Sequence, residues 1–135
     1  MMQTLIAAAL RLAETLRDEN EALATLDFSR AAVLAAAKIQ AADGFAAAQA
    51  ACQKADAAFD QAEREVAIRL AEAIESLTRD NRAALERAIA LQSRVIETIA
   101  GAANNAARRA GGSYGAGGHA AGPYRAPSLA LSARL

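Results

Sequence analysis

The sequence predicts an all-α protein: an elongated antiparallel helical hairpin, a long third helix packed on it in coiled-coil fashion, and a disordered C-terminal tail. Three observations lead there. Of the 135 residues, 41 are alanine, the residue that loses least on entering a helix. Apolar residues recur at steps of three and four through residues 1–100, the spacing of one helical face. From Gly101 onward that pattern gives way to glycine, alanine and serine.

The first helix is expected over about residues 3–26. Leu5, Ala9, Leu12, Leu16, Leu23 and Leu26 form a heptad-like stripe with Glu19 filling its one vacancy, and Ile6, Leu10 and Ala13 widen it near the start. Thr25, Asp27 and Ser29 follow, all good capping residues, and they mark a tight turn.

The second helix is expected over about residues 29–55, with a stripe of Leu34, Lys38, Ala41, Phe45, Ala48 and Cys52. Asp43-Gly44 is a candidate kink. Folding the two helices about a centre near residue 28 sets Leu5 against Cys52, Ala9 against Ala48, Leu12 against Phe45 and Leu16 against Ala41. Large residues then face mostly small ones, as close antiparallel packing requires. The same register sets Glu19 against Lys38, the two charged residues of the seams. The alternative for that pair is two solvated side chains at the seam's edge.

Asp60 with Glu63 three residues later has the form of a capping box, which places the third helix at about residues 60–100, with Gly101 as its stop. No glycine or proline lies between Gly44 and Gly101, so a single rod through helices two and three is the competing arrangement. Val66, Leu77, Ala88 and Ile99 are eleven apart, as are Ile74, Leu85 and Ile96, and Leu70, Asn81 and Gln92. An eleven-residue period keeps one face nearly straight along a helix. Helix two carries too few large side chains to cover that face, so part of it is expected to stay exposed and to receive a partner helix.

The helical body is therefore residues 1–104, one domain, and the Gly/Ala-rich tail residues 105–135. Residues 1–100 hold 11 basic and 15 acidic side chains; residues 101–135 hold 4 basic and no acidic ones. An acidic body with a thinly basic tail does not make a nucleic-acid surface. No stretch approaches the roughly 20 apolar residues of a membrane span, and the start of the chain lacks the basic leader of a signal peptide. With a single cysteine there is no internal disulfide. The sole histidine, His119, lies in the glycine-rich segment, so neither a zinc site nor a histidine-activated nucleophile is expected. An enzyme, a cofactor and a metal are all unexpected here. The segment Ser128 to Leu135 alternates apolar and polar residues, the pattern of an added strand or of a frayed end.

The run Leu16-Arg17-Asp18-Glu19-Asn20-Glu21-Ala22-Leu23, followed by Asp27 and Lys38, resembles the N-terminal half of the FlgN-type flagellar export chaperones. Asp80 to Ile89, leading into Leu91-Gln92-Ser93-Arg94-Val95-Ile96, resembles that family's third helix. The resemblance implies a cytoplasmic chaperone, transiently at the membrane export apparatus, with no cofactor and no insertion into the bilayer. It implies that the C-terminal amphipathic helix of a hook–filament junction protein is bound and carried to the type III export gate. On this chain Leu85, Ala88, Leu91, Gln92, Val95, Ile96 and Ile99 are the expected client contacts. Tyr114, Tyr124, Leu129 and Leu131 are the expected contacts with the cytoplasmic domain of the export-gate membrane protein. A self-associating coiled-coil protein, a weak homodimer through the same surface, is the second reading. A secretion chaperone for another client is the third.

Overall fold

The computed structural model describes residues 1–111. They form three helices, α1 (Met2–Ala24), α2 (Phe28–Lys54) and α3 (Gln61–Ala110), with no strand among the described residues. The fold is all-α, as the alanine content and the three-and-four spacing predict.

The junctions follow from local chemistry. Thr25 closes α1, and Leu26 takes a left-handed φ of 59°. The Leu26 N–H then donates to the Leu23 carbonyl and the Asp27 N–H to the Ala22 carbonyl. These two reversed bonds make a Schellman turn, which satisfies carbonyls that the ended helix leaves open. Asp27 immediately starts α2, its side chain accepting from the Arg30 N–H at 3.2 Å. The same device ends α2: Asp56 has a φ of 47°, and the Asp56 and Ala57 N–H groups donate back to Gln53 and Cys52. Helices two and three are therefore separate. Asp60 opens α3 with both halves of the capping box: its Oδ1 accepts from the Glu63 N–H at 2.8 Å, and its own N–H donates to Glu63 Oε2 at 3.0 Å.

α1 is the middle element. It packs on both α2 and α3, whose backbones do not approach one another. Along the hairpin, Leu12, Leu16 and Ala41 cluster with Phe45, and Cys52 Sγ reaches the Met1 carbonyl at 3.9 Å. α3 runs parallel to α1. Leu12 and Leu16 meet Ile74 and Leu77, while Ala22 and Leu23, further along α1, meet Ala84, Leu85 and Ala88.

Three expectations are corrected. α3 does not stop at Gly101 but continues to Ala110, where Gly111 closes it through a 2.9 Å bond to the Ala107 carbonyl. A helical glycine costs roughly 1 kcal/mol against alanine, and the alanine-rich flanks offset that. The expected division at 104/105 therefore falls inside a helix. α2 passes through Asp43-Gly44 as one helix. The apolar face of α3 packs chiefly on α1, and side chains of α2 (Phe28, Ala31 and Leu34 at one end, Ala41 and Phe45 at the other) complete the clusters. Finally, α2 is long and apolar enough to cross a membrane, by length and composition alone. Its apolarity is largely alanine, and it lies here as one arm of the hairpin with Lys38 buried in the seam.

Candidate functional site

Two features stand out, a buried polar cluster and an uncovered apolar stripe. The cluster lies where the three helices meet. Glu19, Lys38 and Asn81 are 0%, 1% and 0% exposed. Lys38 Nζ is 3.0 Å from Glu19 Oε2 and 3.3 Å from Oε1. Its hydrogen bond is aligned with Oε1, and Oε2 has the charge contact without an aligned donor. The same ammonium donates to Asn81 Oδ1 at 3.0 Å. Asn81 Nδ2 donates to Asn20 Oδ1 at 2.9 Å, and Asn20 Nδ2 donates to the Leu77 carbonyl at 3.3 Å. One chain of bonds thus ties α2 to α1 and both to α3. Two buried charges survive in an apolar seam only when paired and hydrogen-bonded, because each ion taken from water costs several kcal/mol. Glu19 and Lys38 stand together as their register sets them, and not as solvated edge residues. Asn81, which shares an eleven-residue row with Leu70 and Gln92, is the group that brings α3 into the cluster.

The stripe follows from a difference in length. At 1.5 Å per residue, the 50 residues of α3 span about 75 Å and the 23 of α1 about 35 Å. Parallel packing brings the hairpin tip level with Leu91 and Arg94: Leu23, Ala24 and Leu26 share a groove with Ala84, Arg87, Ala88, Leu91 and Arg94. Past Arg94, α3 projects for about 25 Å. Rotating 100° per residue puts Leu70, Leu77, Asn81, Ala88, Val95, Ile99 and Ala106 within an arc of roughly 40°. The face that α1 buries is therefore the face that continues, uncovered, along the projection. Val95 is 49% and Ile99 62% exposed. Isolated exposed aliphatics are ordinary on a protein surface, but a core stripe running past its cover is not.

The expected client contacts divide accordingly. Leu85 and Ala88 are corrected: at 2% and 4% exposure they belong to the core with Ala22, Leu23 and Ala31. Leu91, Gln92 and Ile96 are half-buried, and Val95 and Ile99 are exposed. Tyr114, Tyr124, Leu129 and Leu131 lie outside the described residues. Sequence reasoning missed Leu26, Arg87 and Arg94. Leu26, by its spacing the last rung of the first stripe, lies beyond α1, 56% exposed, at the rim of the groove. A smaller crevice at the other end of the bundle lies between Leu5, Ile6, Phe45, Leu70 and Ile74.

Among the described residues no three metal-ligating side chains come together. Cys52 is a buried thiol within the hairpin. The arrangement leaves an apolar helical stripe exposed beside a bundle whose three helices the buried cluster ties together. No family model matches the chain, and neither a curated protein nor a solved structure matches it.

Proposed function

We propose that this chain is a helix-capturing chaperone of the flagellar export kind that the FlgN-type resemblance implies. Its client would be the C-terminal amphipathic helix of a hook–filament junction protein, held until it is handed to the type III export gate. The work would take place in the cytoplasm and transiently at the membrane export apparatus, without a cofactor. One observation carries this reading: the apolar stripe that α1 covers continues bare through Val95 and Ile99. A partner helix laid there would extend the lane of α1 and bury the stripe as α1 does.

The test is a titration of the purified chain with synthetic C-terminal helices of hook–filament junction proteins, followed by calorimetry. Saturable one-to-one binding is expected. Absence of binding to any such helix, together with a concentration-dependent dimer in sedimentation, would replace this reading with self-association through the same stripe. Binding only to unrelated secreted helices would leave a chaperone with a different client.

A further inference from the structure

The flank of the stripe specifies the chemistry of its partner. Arg87 and Arg94 are seven residues apart, two turns, and therefore share one side of α3. Both line the groove beside Leu26 and Leu91. Among the described residues neither guanidinium has a carboxylate within 4.0 Å. Their own helix offers Arg87 no carboxylate three or four residues away and offers Arg94 only Glu97, three residues on, with which it forms no ion pair within 4.0 Å.

Three occupants fail on charge or shape. The chain's own tail has no acidic side chain between residues 101 and 135. A second copy would bring Arg87, Arg94, Arg108 and Arg109 against a matching set, with Glu97 alone to offset them. An anionic bilayer is flat, whereas the hairpin tip at Leu23 and Leu26 walls one end of the groove. At about 330 Å³ the groove holds a few side chains rather than a whole helix, so a partner helix would seat its end there and lie on α3 beyond.

Resting on the capture reading above, we infer that the partner is an amphipathic helix with an acidic edge, bearing carboxylates two turns apart. Its apolar face lies on Leu91, Val95 and Ile99, its end abuts Leu26, and the two carboxylates meet Arg87 and Arg94. The spacing of about 10.5 Å between the two positions is the same on both helices. Each guanidinium fork matches a carboxylate in two parallel hydrogen bonds, which fixes the register of the partner as well as holding it.

The experiment uses two designed peptides of about 20 residues, long enough to span the projection at 1.5 Å per residue. Both carry leucines at alternating steps of three and four. One has glutamates at two edge positions seven apart, and the other has lysines there. Binding to the full chain is read by fluorescence anisotropy. The glutamate peptide is expected to bind roughly tenfold tighter. Arg87→Glu with Arg94→Glu should reverse the preference, and Arg87→Gln with Arg94→Gln should abolish it, both with unchanged melting because the two side chains are exposed. Equal binding of the two peptides overturns the acidic edge and leaves helix capture standing. If neither peptide binds, helix capture falls and the inference with it. Arginine-dependent binding to phosphatidylglycerol vesicles, without preference for the glutamate peptide, overturns it in favour of a membrane surface.

Discussion

Lys38 Nζ stands 3.0 Å from Glu19 Oε2 with both side chains sealed from solvent, and Asn81 from α3 completes the ammonium's shell at 3.0 Å. Removing one partner of such a pair strands the other charge, which costs about 3–5 kcal/mol. Glu19→Ala and Lys38→Ala should each lower stability by that order in urea titration. The double variant should lose clearly less than the sum. A coupling within about 0.5 kcal/mol of zero would mean that the two act independently.

Asn81 carries a separate share. Asn81→Leu removes an acceptor from Lys38 and a donor from Asn20, so it should cost about 1–3 kcal/mol even though leucine fills the space. Hydrogen exchange gives the check: the amides of α3 should lose more protection than those of α2. Equal loss across the chain would show that Asn81 does not hold α3 in particular.

The stripe and the core part company along α3. Val95→Asp, on the bare projection, should abolish capture of the client helix while far-UV helicity and melting stay near wild type. Leu85→Asp, set against Leu23 and Ala31, should unfold the bundle, since a buried unpaired carboxylate has no compensation. Should Val95→Asp also melt the protein, the projection is core and the binding surface is lost.

Leu26 separates stability from binding in the opposite direction. Its left-handed backbone costs an L-residue roughly 1–2 kcal/mol, which glycine avoids while losing more entropy on folding. Leu26→Gly should raise stability by about 0.5–1 kcal/mol in thermal melts and weaken client affinity, because an apolar rim is removed. Unchanged affinity would show that the rim takes no part.

Deletion of residues 112–135 should leave client affinity within about threefold, or roughly 0.6 kcal/mol. The same deletion should weaken binding to the export gate's cytoplasmic domain and reduce filament assembly. Normal swimming at native expression would end the idea of a docking tail. Loss of client binding would instead make the tail part of the capture surface.

The hairpin is legible in the sequence because its determinants are local. The three-and-four stripes, a turn rich in capping residues, and one charge in each seam leave a single register that satisfies all of them. The Asp60–Glu63 box is readable for the same reason. What periodicity does not state is which helix covers a given face. Leu85 and Ala88 therefore pass on sequence for free surface when α1, about 60 residues earlier in the chain, already buries them. The end of α3 is missed because Gly101 is weighed as a stop, though one glycine among alanines is too small a penalty to break a long helix. Arg87 and Arg94 give no signal until the hairpin tip is placed beside them.

The parallel run of α1 and α3 also sets the chain lengths that each part of the polar cluster must close. Glu19 and Lys38 are separated by 19 residues, Asn20 and Asn81 by 61. Closing the longer loop costs about 1 kcal/mol more in chain entropy, which favours closing the hairpin before α3 docks. During synthesis the lysine of the hairpin emerges well before the asparagine that will cap it. Without residue 81 the Lys38 ammonium lacks one of its two side-chain acceptors, and water is the natural substitute.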